Sequence, residues 1–241
     1  MISLLRNATE ALTSLLYPPH CANCDAPLAE AKYLCAACWN SAKRIKPPFC
    51  EVCSQPFDGA VDSAFTCVNC SERHFDFDCA VAAYRSRGVV RELIHRFKYN
   101  RELYLRHPLA DWLSAGLEDA RIASRPFDFF VPVPLHPTRL REREFNQSEI
   151  LARMLGERTG VPVIRCLHRA RQTMTQTRFD RNERMENLLN AFEARKISLV
   201  QGKHLLLVDD VLTTGSTVAE CARVLMRAGA ASVRVVTVAR G

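Results

Sequence analysis

No stretch of this 241-residue sequence approaches the run of about 20 apolar residues that spans a bilayer, so no membrane insertion is expected. Also missing are a G-x-G-x-x-G turn and a G-x-x-x-x-G-K-[ST] loop. Their absence removes the main signatures of dinucleotide binding and of nucleoside triphosphatases. The first 17 residues hold no uninterrupted apolar stretch of signal-peptide length and no small-residue cleavage site. Leu4, Leu5, Ala8, Leu12, Leu15 and Leu16 instead recur at helical spacing, and an amphipathic packing helix in a cytoplasmic protein is expected. Low-complexity tracts are absent as well, and an apolar fraction of 48% suits a folded chain.

Cysteine is the residue present in excess. Of eleven, eight form four C-x-x-C pairs: Cys21/Cys24, Cys35/Cys38, Cys50/Cys53 and Cys67/Cys70. Residues 18 to 78 around them are rich in proline and poor in helical periodicity, so something other than a hydrophobic core must hold them. A C-x-x-C turn presents two thiolates to one tetrahedral ion, and a second turn completes the four. Two structural zinc sites are expected, with sequential or interleaved pairing both open; four sulfurs per ion leave no catalytic position. Disulfides would require an oxidising compartment, for which no targeting signal speaks. An iron–sulfur cluster could use the same ligands, though its usual spacings differ. His20 and His74, beside cysteine pairs, are read as bystanders.

From residue 79 the texture changes to alternating strand-like and helix-like stretches, giving a division into 1–78 and 79–241 and an α/β class with a mostly parallel sheet flanked by helices. The clearest pair is an apolar strand, Leu205 to Val208, and a helix from Ser216 to Ala228. Between them lie Asp209-Asp210, a turn expected at Val211-Leu212, and Thr213-Thr214-Gly215-Ser216-Thr217. Backbone N–H groups, hydroxyls and a glycine at a helix start suit a phosphate dianion. Two ionised acids just upstream accept from hydroxyl groups and can face a hydrated Mg²⁺. A phosphate beside a diol, as in ribose 5-phosphate, satisfies the whole segment, whereas a simply capped helix leaves the two acids unexplained.

At these residues the sequence resembles the type I phosphoribosyltransferases, whose signature is an apolar strand, two acids, two apolar residues and T-T-G-x-T. The resemblance implies that Asp209 and Asp210 hold the ribose hydroxyls at the reacting sugar while Thr213 to Thr217 bind the 5-phosphate of 5-phosphoribosyl-1-pyrophosphate (PRPP). More of the chain is similar to one branch, the ComF family of competence-associated proteins, which joins a double zinc ribbon to this domain. The matching segments are Phe97-Lys98-Tyr99, Val131-Pro132-Val133-Pro134-Leu135, Arg143 with Phe145-Asn146-Gln147, the set Arg171, Thr173, Gln176, Arg184 and Asn187, and Ala191-Phe192. Glu144 departs from the pattern, standing where glycine is expected.

The same likeness implies that Val133 and Pro134 grip the diphosphate, and Arg139, Arg141 and Arg143 follow closely enough to neutralise it. It implies a flexible lid in Arg171 to Asn187, with Arg171, Thr173, Gln176 and Arg184 as its working residues. Positions 139 to 184 carry eleven arginines, no lysine and six acids, a concentration that suits a polyphosphate or a passing nucleic-acid strand. Phe145, Phe179 and Tyr99 are available for stacking, although isolated aromatics usually belong to cores. Two functions follow: Mg²⁺-dependent phosphoribosyl transfer to an unspecified acceptor, linked to DNA uptake in natural transformation, or a non-catalytic PRPP sensor that binds single-stranded DNA or a helicase partner. No side chain announces itself as a general base.

Overall fold

The computed structural model describes residues 18–30, 32–59, 64–170 and 190–241. The N-terminal helix expected from Leu4 to Leu16 and the lid residues Arg171, Thr173, Gln176, Arg184 and Asn187 lie outside the described residues.

In chain order the elements are α1 (Ala36–Ser41), α2 (Val68–Ser71), β1 (Ala80–Arg85), α3 (Gly88–Tyr99), α4 (Arg106–Ser114), α5 (Ala120–Ala123), β2 (Phe129–Pro132), α6 (Pro137–Arg143) and α7 (Gln147–Thr159). They continue with β3 (Leu167–Arg169), β4 (Phe192–Ala194), β5 (His204–Leu212), α8 (Ser216–Arg227) and β6 (Ser232–Arg240). Four strands form a parallel sheet in the order β1-β6-β5-β2, while β3 and β4 make a separate antiparallel pair. Parallel strands covered on both faces read as continuous apolar runs. Accordingly Leu205 to Val208 are all 0% exposed, and β6 is buried at every position.

Side chains alternate between the two faces of a strand, and β5 divides the core accordingly. Leu206 and Val208 join Leu93, Phe97, Leu109 and Leu151 of α3, α4 and α7. Leu205 and Leu207 join Val218, Cys221 and Leu225 of α8. One expectation is corrected here: Val211 and Leu212 are not a turn. They continue β5 in register with Ala239 and Arg240 of β6, so sheet pairing outweighs the poor strand preference of the two aspartates before them.

β1 is an edge strand of the sheet, and the cysteine-rich segment closes that edge. Ile45 N–H donates to the Ala83 carbonyl at 2.9 Å, Arg85 N–H to Lys43 at 2.8 Å, and Ala80 N–H to Val52 at 2.7 Å. The buried Ser54 hydroxyl donates to the Ala80 carbonyl at 2.9 Å. Arg121 reinforces the seam by donating to the Glu51 carbonyl at 2.9 Å while paired with Asp119 at 2.7 Å. Unpaired strand edges invite aggregation; here the metal-binding segment satisfies the edge.

Candidate functional site

The eight paired cysteines gather into two sequential groups, Cys21/Cys24/Cys35/Cys38 and Cys50/Cys53/Cys67/Cys70, with all Sγ atoms of a group within 4.8 Å of one another. Ligands at about 2.3 Å from a tetrahedral ion stand about 3.8 Å apart. Sγ separations of 3.7 Å for Cys24–Cys35 and for Cys53–Cys67 fit that edge and are far from a disulfide bond. Interleaved pairing is thereby excluded, and His20 and His74 belong to neither group. Donors face the sulfurs as thiolates require: Cys67 N–H to Cys50 Sγ at 3.3 Å and Asn23 Nδ2 to Cys38 Sγ at 3.2 Å.

The second centre lies at the carboxyl end of β5. Asp209 and Asp210 are consecutive in a strand and therefore meet different neighbours. Asp209 Oδ1 accepts from the Ser148 hydroxyl at 2.7 Å and from the Asp210 N–H at 2.9 Å. Asp210, 2% exposed, meets the Lys98 ammonium at 2.5 Å. Burial pushes the Asp209 carboxyl up, opposed by the charge of Lys98, the Ser148 hydroxyl, and the charges of Arg169 and Arg143.

Beside the acids, the Val133 N–H donates to the Val208 carbonyl at 3.0 Å, bringing Val133 and Pro134 to the end of β5. Asn146 holds them there: its Nδ2 donates to the Val133 carbonyl at 3.0 Å while its Oδ1 accepts the Ser148 N–H at 3.0 Å and caps α7. The intervening α6 ends at Glu144 with φ of 68°. That is the left-handed conformation glycine favours, which explains why glycine is the expected residue; Glu144 adopts it nonetheless and pairs with Arg101 at 2.9 Å. Arg139 and Arg143 of α6, with Lys98, Tyr99, Arg101 and Glu142, line a cavity of about 220 Å³. Arg143 is 9% exposed; its guanidinium lies 4.9 Å from the Tyr99 ring and donates to Gln147 Oε1 at 3.2 Å.

After β5 the chain turns through Thr213, Thr214 and Gly215 into α8. Gly215 is the N-cap with φ of 79° and offers no side-chain acceptor. The turn therefore presents N–H groups and hydroxyls at the positive end of a helix. Thr214 and Ser216 hydroxyls lie 2.9 Å apart, and Thr217 follows on the first turn. The same turn borders the second cysteine group: Thr213, Thr214 and Gly215 share a small cleft with Asn69 and Cys70.

Lys98, Ser148 and Arg169 are site residues that sequence reasoning assigned no role. Lys98 lies inside the Phe97-Lys98-Tyr99 match, but only the packing of α3 beneath β5 reveals what it touches. Part of the arginine concentration is paired within the fold. Arg158 pairs with Asp111 at 2.6 Å, Arg153 and Arg165 both pair with Glu149, and Phe145 packs on Phe97 at 5.4 Å instead of standing free to stack. Phe179 lies outside the described residues.

Comparison with known proteins matches both parts. A family model described as a double zinc ribbon domain covers residues 12–73, and one described as a phosphoribosyl transferase domain covers residues 148–241. The chain is 34% identical over 234 residues to DNA utilization protein YhgH of Escherichia coli strain K12, covering 92% of this chain and 96% of that one. It is 30% identical over 179 residues to Competence protein F of Haemophilus influenzae, covering 72% and 78%. Among solved structures, an adenine phosphoribosyltransferase matches 58% of this chain and 72% of its own at 18% identity and a TM-score of 0.38.

Proposed function

The chain belongs to the ComF family, which joins a double zinc ribbon to a phosphoribosyltransferase-type domain, and from that premise we propose that it binds Mg²⁺-PRPP and transfers the phosphoribosyl group to an acceptor. One observation carries this reading: an acid pair, a glycine-opened helix start and a basic cavity meet at the carboxyl end of β5. Ligands of open α/β sheets bind at that end of the strands.

In this reading Thr213, Thr214, Gly215, Ser216 and Thr217 take the 5-phosphate, and Asp209 and Asp210 take the ribose hydroxyls. Val133, Pro134, Arg139 and Arg143 receive the diphosphate. The family likeness assigns to Arg171, Thr173, Gln176 and Arg184, outside the described residues, the task of covering the anomeric carbon and excluding water. The bond from the anomeric carbon to the diphosphate oxygen breaks with its electron pair leaving on the diphosphate. The acceptor's lone pair forms the new bond, and its proton passes to solvent. Fixed positive side chains act where that leaving charge develops. A Mg²⁺ ion arriving with the diphosphate would add neutralisation, and the Asp209 and Asp210 carboxylates would accept hydrogen bonds from its water shell.

The ribbon module of residues 1–78 has a structural task, since its two four-cysteine groups leave no open metal position. The relatives' names, DNA utilization protein and competence protein, support a link to DNA uptake in natural transformation; the cytoplasmic side as its location, and single-stranded DNA and an uptake helicase as its partners, are part of the same proposal. The test is diphosphate release from PRPP across a panel of nitrogen acceptors, with Asp209→Ala/Asp210→Ala as control. Release that disappears in the double variant supports transfer. Binding without release across the panel favours a sensor.

A further inference from the structure

Lys98 stands between two parts of the site. Its Nζ is 2.5 Å from Asp210 Oδ2, with side-chain exposures of 18% and 4%. On its other side it lines the cavity of about 220 Å³ that Arg139 and Arg143 also face. The cavity corresponds to several water molecules at about 30 Å³ each. Lys98, Arg101, Arg139 and Arg143 outnumber Glu142 around this space, so an anion entering it meets an excess of positive charge.

The acid pair has a competing need. The ammonium sits on Asp210 Oδ2, so ribose hydroxyls reaching that oxygen compete with it. A lysine can yield: its charge is compact, and its four-carbon stem is flexible, whereas an arginine would hold the carboxylate through a planar fork. Removing the ammonium from a buried carboxylate without replacement is costly. Hydroxyls arriving at Asp210 and an anion arriving in the cavity offset that cost together.

We propose that Lys98 is an exchangeable counter-ion, paired with Asp210 in the free protein and turned onto the ligand's diphosphate when the ribose hydroxyls occupy the acids. This rests on the reading of the site as a PRPP site. It makes Lys98 a direct contact of the leaving group, carried by a helix outside the acid and threonine motif. It also couples the two halves of the ligand: the sugar frees the ammonium that the diphosphate then receives.

Calorimetric titration of PRPP with Mg²⁺, and separately of ribose 5-phosphate, into the wild type, Lys98→Gln and Lys98→Arg tests the exchange. Lys98→Gln is expected to weaken PRPP by about 10- to 100-fold, the scale of one charged hydrogen bond. Its affinity for ribose 5-phosphate should stay within about threefold or improve, because Asp210 is released from competition. Lys98→Arg should fall between the wild type and Lys98→Gln for PRPP. Equal losses for both ligands, or no loss for either, overturn the proposal while leaving the PRPP reading intact. Failure of the wild type to bind either ligand overturns that reading and this inference with it. Should Lys98→Gln not fold, acetylation of Lys98 in the wild type, followed by peptide mass, gives the same answer. Ribose 5-phosphate should speed the modification, and inorganic diphosphate added with it should slow it again; an unchanged rate in both cases overturns the exchange.

Discussion

Arg240, near the end of β6, donates from Nη1 to the Thr213 carbonyl at 2.5 Å and to the Leu212 carbonyl at 3.0 Å. The side chain is buried at 7% residue exposure, so it fixes the start of the turn that leads into α8. Arg240→Gln should cost about 1–3 kcal/mol of stability, through carbonyls left without their charged donor. It should weaken ribose 5-phosphate about tenfold, since one turn serves both purposes. Urea unfolding and calorimetry on the same preparation check the two effects.

Glu144 tests the backbone. It holds a φ of 68°, and the ion pair it makes with Arg101 is exposed at 52% and 65% of the two side chains. Exposed pairs contribute little, while a side chain in the left-handed region costs about 1 kcal/mol or more. Glu144→Gly should therefore raise stability by about 0.5–1 kcal/mol, read as a higher melting temperature. An unchanged or lower value would show that the Arg101 pair outweighs the backbone cost.

Metal removal should separate the two cysteine groups. Elemental analysis is expected to give two zinc ions per chain, one for each four-cysteine group. Cys50 is 0% exposed, in one core with Leu205, Leu207 and the inner face of α8, and Cys24 is exposed. Binding of structural zinc supplies folding free energy. Cys50→Ser should accordingly abolish cooperative melting, while Cys24→Ser lowers the midpoint but leaves a transition.

Lys98 carries a pH signature. Burial lowers its pKa to about 8, with Asp209 pulling it up and Arg143 and Arg139 pushing it down. A diphosphate beside the ammonium raises the pKa in the complex, so binding takes up a proton in that window. Affinity for PRPP is full below about pH 8 and falls as pH rises through it, by up to about tenfold per unit until the pKa of the complex is reached. Calorimetry from about pH 7 to 9.5 reads this, and Lys98→Arg should flatten the profile because arginine stays charged.

The sequence made the chemistry of this site legible where it is local. The C-x-x-C pairs of each group lie close in the chain, so spacing reports them, and Asp209 to Thr217 form one continuous segment from β5 into α8. What escaped is long-range. Lys98 reaches Asp210 across 112 positions of chain, and Ser148 reaches Asp209 across 61; only the packing of α3 and α7 against β5 brings them together. The end of β5 was misread for the same reason, because pairing with Ala239 and Arg240 keeps Val211 and Leu212 extended. Counting arginines between 139 and 184 does not reveal their partners, since Asp111, which pairs with Arg158, lies outside that span.

The most direct measurement is calorimetric titration of Mg²⁺-PRPP into the wild type and into Asp209→Asn/Asp210→Asn, with circular dichroism confirming that both are folded. The account expects saturable binding by the wild type and affinity at least about 100-fold weaker in the double variant, because two charged hydrogen-bond acceptors are lost. Equal affinity in the two folded proteins, or no binding by the wild type, would contradict it.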